Sequence, residues 1–210
     1  ATALAVAIPA YGGKSCGETV VSPETTAQAL NLAKRVQKKA GELSPNRVLL
    51  IARVGQDLSK YNLRFSHLAF LVKDHPEDAW SVVHELNECG TDKSALYVQG
   101  LGDFFLDGMF AYESALMILP EDLQTRLESF LSASRMKRFH HPRYNLLAYP
   151  FSTKYQNSNQ WLLETLAAHM APEGDIVSRV EAQTWLKEEG FVPTRLNLPT
   201  MTRLGGRMFK

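Results

Sequence analysis

Phe65-Ser66-His67-Leu68-Ala69-Phe70-Leu71-Val72 and Trp80-Ser81-Val82-Val83-His84-Glu85-Leu86 are separated by Lys73-Asp74-His75-Pro76-Glu77-Asp78-Ala79. The flanking segments are short, apolar and rich in β-formers, whereas the middle is polar and broken by proline, which predicts two strands joined by a loop. An antiparallel pairing with Leu71 opposite Trp80 brings Ala69 opposite Val82 and His67 opposite His84. Directly opposite residues share a face, with Cβ atoms roughly 5 Å apart. A one-residue slip would turn Trp80, Val82 and Leu86 to the other face, so the pairing is not arbitrary. Two imidazoles then stand side by side on an otherwise apolar surface.

Working outward, Arg47 to Val54 reads as a buried strand, and Gly55 to Arg64 as a polar loop that contains Tyr61. Further upstream, Ser22-Pro23-Glu24 combines a capping serine, a first-turn proline and an acid near the positive helix end. The helix they open runs to about Leu43, with Leu30, Ala33, Val36 and Ala40 on one stripe. Downstream, Ala95 to Val98 is a short strand, Gly100 to Gly108 a turn with a short helix, and Tyr112 to Leu119 another strand. The glycines of that turn lack the lysine of a phosphate cradle, and no cofactor is implied. Pro120-Glu121-Asp122 opens an amphipathic helix. The basic run Arg135 to Arg143 lacks interleaved aromatics and reads as a solvated helix end and loop. Tyr144 to Tyr149 reads as a strand, and Ser178 to Glu189 as the last helix.

With 210 residues, 45% apolar content and a net charge of +1, the chain is long enough for one domain with a full core. That balance carries no nucleic-acid footprint, and no apolar run reaches the length of a membrane span. Ala1 to Ala10 is small and apolar and reads as an N-terminal arm or signal-peptide remnant, with a single domain over 22–210. The run Arg207-Met208-Phe209-Lys210 reads as a truncation point. Cys16 and Cys89 are an even pair, which in an exported protein predicts one disulfide contributing roughly 4 kcal/mol; two buried thiols are the alternative.

Tyr155-Gln156-Asn157-Ser158-Asn159-Gln160-Trp161-Leu162-Leu163-Glu164 is the second informative stretch. Asn157 with Gln160 three positions on is a helix-start signature, and Ser158 is then the first helical residue. The helix continues to about Met170 and is apolar around most of its circumference, as a central, buried helix would be. Its hydroxyl sits among unpaired backbone amides able to stabilise an oxyanion. A zinc site would need a third ligand beside His67 and His84; Glu85 points to the other face, so no metal is expected.

Ser66-His67-Leu68-Ala69-Phe70 and Val82-Val83-His84-Glu85, with Asn157-Ser158-Asn159-Gln160-Trp161 after them, resemble the motifs of NlpC-type papain-like hydrolases. The helix following the histidines matches the circularly permuted order. Nearly the whole chain, notably Gly55 to Glu85 and Tyr144 to Glu164, also resembles a bacterial family of exported proteins of uncharacterised function. The resemblance implies an α+β, papain-like fold, a Ser158–His67–His84 triad, and support of substrate or oxyanion by Asn157, Asn159, Gln160 and Tyr61. It further implies a peptide or cell-wall amide or ester as substrate and a periplasmic or secreted location. Serine stands where that superfamily has cysteine, as in an engineered inert enzyme. Unlike a thiolate, serine needs a base to remove its proton during attack. A binding or scaffold protein on the same fold is the competing expectation.

Overall fold

The computed structural model describes residues 21–43, 47–75, 78–131, 134–172 and 174–197. The expected N-terminal arm, Cys16 and the terminal run at Lys210 lie outside them.

Ser22 caps helix α1 (Pro23–Glu42), its hydroxyl accepting from Thr25 N at 3.1 Å. Strands β1 (Val48–Val54), β2 (His67–His75), β3 (Asp78–Asn87) and β4 (Ser94–Gly100) follow, then helix α2 (Leu101–Leu106) and strand β5 (Ala111–Ile118). Helices α3 (Glu121–Leu131), α4 (Ser158–Met170) and α5 (Arg179–Glu188) complete the described chain. The described strands form one antiparallel sheet in the order β4-β3-β2-β1-β5.

Side-chain alternation divides the core in two. On one face Leu49, Ile51, Ala69, Leu71, Trp80 and Val82 meet the stripe of α1 and Leu101, Phe104 and Phe105 of α2. On the other, Val48, Leu50, Phe70, Val72 and Val83 meet α3, α4 and α5 through Leu127, Trp161, Ala167 and Leu186. Phe70 and Trp161 pack edge to face at 5.7 Å, and each such buried side chain contributes about 1.5–3 kcal/mol. Because both faces are covered, β1 is a nearly continuous apolar run rather than an alternating one. The fold is α+β, with helices on both sides of the sheet.

Four expectations are corrected. The β2–β3 register pairs Leu71 with Val82 rather than Trp80. The strands extend to a His75–Asp78 pair, leaving a shorter connection than the polar composition of 73–79 predicts. The shift is two residues, so His67 and His84 keep a common face. Leu30 is half exposed, and the α1 stripe is Ala29, Leu32, Ala33, Val36 and Ala40. Tyr144 to Tyr149 is not a strand but a turn with one isolated bridge, Tyr144 to Gln156. There the Asn145 side chain accepts from Leu147 N at 2.8 Å and its carbonyl from Ala148 N at 2.8 Å, curling the chain out of extension. The expected Cys16–Cys89 disulfide falls on Cys16, which lies outside the described residues. Cys89, in the turn between β3 and β4, is not a free thiol.

Candidate functional site

His67 opens β2, and the period-2 pattern turns its ring to the same side as Ala69 and Leu71, toward α2. His84 of β3 points to that side with Trp80 and Val82. The rings meet edge to face at 5.1 Å, with His67 Nε2 2.8 Å from His84 Nδ1. His84 Nε2 in turn lies 2.8 Å from Gln99 Oε1 on β4. Phe104 covers both imidazoles, its centroid 6.0 Å from His67 and 5.4 Å from His84.

Behind Phe104 the guanidinium of Arg53 stacks 4.6 Å from the ring centroid, donates to the Phe104 carbonyl, and pairs with Asp107 at 2.8 Å. Burial, then His84 and Arg53, hold the His67 pKa well below the usual imidazole value. Burial likewise lowers His84 to about 4, against the opposing Gln99 hydrogen bond. Both rings are therefore neutral at physiological pH. His67 is only partly buried, and its Nδ1 makes no hydrogen bond to any described residue.

Asn157 caps α4, its side chain accepting from Gln160 N at 3.0 Å, which makes Ser158 the first helical residue. Asn159 anchors the helix start to β2. Its side chain accepts from Leu68 N at 3.0 Å and donates to Ser66 O at 3.2 Å, the peptide groups on either side of His67. These bonds form beyond Phe70 and Val83, the last pair of the β2–β3 ladder at that end. The buried Ser158 hydroxyl interacts with the Tyr144 phenol, whose pKa burial raises to about 12. Among the described residues no hydrogen bond joins Ser158 to either imidazole, and α4 packs on the Phe70 face of the sheet, opposite the rings.

Gln160 works below the helix start rather than at its mouth. Its amide donates to Pro150 O, Ser152 O and Glu164 Oε1, each at 3.2 Å. Glu164 is wholly buried and also accepts from Gln156 at 2.7 Å, Gln183 at 2.6 Å and Arg179 at 2.7 Å. Arg179 donates onward to Thr153 O and Tyr155 O, so this carboxylate ties α4 to α5 and to the preceding loop. Tyr61 sits in a short 3-10 turn with Lys60 over its ring, and no described hydrogen bond brings it to the histidines.

The structure thus brings His67 and His84 together, and sets Asn159 beside them. It leaves Tyr61 apart and points the Ser158 hydroxyl at Tyr144. Sequence reading missed Gln99, Arg53, Asp107 and Phe104. Gln99 lies in the strand that also carries Tyr97 and Val98, but nothing local indicates that the β4–β3 register will set it near His84. No cluster of three or more metal-ligating side chains is present among the described residues.

The class this arrangement defines is an α+β domain with a neutral histidine relay at the end of a sheet and a capped, buried helix start beside it. The chain belongs to the bacterial family described as "Uncharacterized protein conserved in bacteria (DUF2145)", whose family model matches residues 41–210. No curated protein and no solved structure matches it. No helix of the described residues is long and apolar enough to cross a membrane.

Proposed function

We propose that this protein is a papain-like hydrolase or acyl-transfer protein of the bacterial envelope, periplasmic or secreted, acting on an amide or ester such as a cell-wall peptide. The observation that carries the reading is the docking of the α4 start onto the two peptide groups flanking His67. In it, His67 is the base, presenting an Nδ1 that makes no hydrogen bond to a described residue, and His84 orients it by its Nδ1 bonding His67 Nε2. Ser158 is the nucleophile at the adjacent helix start, where the α4 amides would receive the oxyanion. The His-strand, His-strand, helix order along the chain agrees with circularly permuted NlpC-type proteins. Location outside the cytoplasm rests on the resemblance to exported proteins.

Because α4 packs on the sheet face opposite the rings, attack requires the Ser158 hydroxyl to leave Tyr144 and the His67 ring to swing round the start of β2 to meet it as substrate binds. A serine-directed phosphonate should label Ser158, with labelling abolished in Ser158→Ala and reduced about a hundredfold or more in His67→Ala. Should the serine protein stay inert while Ser158→Cys reacts with thiol reagents below pH 8.5, the residue replaces a catalytic cysteine. Lack of reactivity in both folded forms would refute the enzyme reading. The second reading, a catalytically silent binding or scaffold protein, is favoured by one contact: the Ser158 hydroxyl faces a phenol and not an imidazole.

A further inference from the structure

We infer that Gln99 is a positioning residue that sets the tautomer of both histidines and makes His67 Nδ1 the basic nitrogen. The inference rests on the proposed role of His67, but its structural content does not depend on turnover.

Gln99 Oε1, 2.8 Å from His84 Nε2, is an amide oxygen and can only accept, so His84 Nε2 carries the hydrogen. A neutral imidazole holds one N–H, which leaves His84 Nδ1 as a bare lone pair. His67 Nε2, 2.8 Å away, must then donate to it. His67 is also neutral, so its remaining nitrogen, Nδ1, carries the lone pair. This nitrogen makes no hydrogen bond to a described residue. Three residues on three neighbouring strands therefore pass one acceptor preference across the sheet, from β4 through β3 to β2.

The opposite polarity would disable the base. Were position 99 to donate, His84 would carry its hydrogen on Nδ1, His67 Nε2 would accept it, and His67 Nδ1 would be an N–H. A ring nitrogen that already carries its hydrogen has no in-plane lone pair, so it cannot accept a proton from a nucleophile. No side chain attached to His67 itself makes this choice. The arrangement differs from a carboxylate orienter because the amide fixes the hydrogen positions without adding charge, keeping both rings neutral.

The test uses the full chain labelled with 15N at histidine, with long-range proton–nitrogen NMR at pH 7.5. Wild type should show His67 with a bare Nδ1 and a protonated Nε2, and His84 likewise. Gln99→Glu, which can only accept when ionised, should retain both tautomers and raise the His84 pKa. Gln99→Met, of similar length and without an acceptor, should shift both His67 nitrogens toward averaged values. It should also slow phosphonate labelling of Ser158 by about an order of magnitude or more, with Gln99→Glu restoring it. A protonated His67 Nδ1 in wild type, or His67 resonances unchanged in Gln99→Met, would overturn the inference. Correct tautomers with no labelling in wild type would instead leave the inference standing and remove the hydrolase reading. If Gln99→Met fails to fold, the wild-type spectrum and Gln99→Glu still decide the matter.

Discussion

Glu85→Gln should stabilise this protein, and increasingly so as the pH rises. Glu85 lies on β3 next to His84 but faces the α4 side, fully buried. Neither carboxyl oxygen makes a hydrogen bond of ordinary geometry. The neighbouring Ser94 hydroxyl is engaged by His140 Nε2 at 3.1 Å and His141 O at 3.3 Å. Burial foremost raises the Glu85 pKa from 4.5 to about 8, Glu164 adding to the rise while Ser94 and Arg179 oppose it. The folded protein thus keeps a proton that the unfolded chain releases above pH 4.5. The contribution of neutral Glu85 is whole below that pH and is lost as the pH rises through about 8. The loss runs at about 1.4 kcal/mol per pH unit, or about 4–5 kcal/mol across the window. Glutamine has the same shape and cannot ionise. Urea unfolding of both proteins at pH 5, 6, 7 and 8 should show a stability difference that widens at about that slope. In melting temperature the gap should reach roughly 8–15 °C by pH 8. A constant offset across the series would refute the reasoning, because it would mean that Glu85 ionises alike in both states.

Acidification probes the other face of the sheet. The His84 pKa is lowered to about 4, so the stability it contributes is whole above pH 6.5 and is lost as pH falls toward 4. About 3 kcal/mol should disappear over that range in denaturant melts, with a smaller slope in His84→Gln; equal slopes would count against a buried, neutral His84. Glu164→Gln should cost about 3–5 kcal/mol in urea unfolding at pH 7, because it strands the Arg179 guanidinium and presents an amide donor to Gln156 and Gln183. A loss under about 1 kcal/mol would show that the carboxylate does not hold α4, α5 and the 150–156 loop together.

What the sequence alone determined was whatever depends on near neighbours. The alternation through Phe70 and Val82 put His67 and His84 on one face even though the expected register was two residues off, since an even shift preserves the face. Asn157 and Ser22 announced helix starts because a capping side chain acts within three residues. The Asn145 turn was missed at the same short range, its side-chain competition with the strand hidden by the apolar residues after it. Tertiary structure decided the rest. Strand order brought Gln99 to His84, and the packing of α2 laid Phe104 over both rings. Side-chain periodicity says which residues of α4 are buried, but not against which face of the sheet they lie. That choice turned the Ser158 hydroxyl to Tyr144 while Asn159 gripped the backbone beside His67. It also gathered Glu164, Gln156, Gln183 and Arg179 into one buried network. Such contacts join residues far apart in the chain, and their energies come from desolvation and pairing that exist only once the layers have closed.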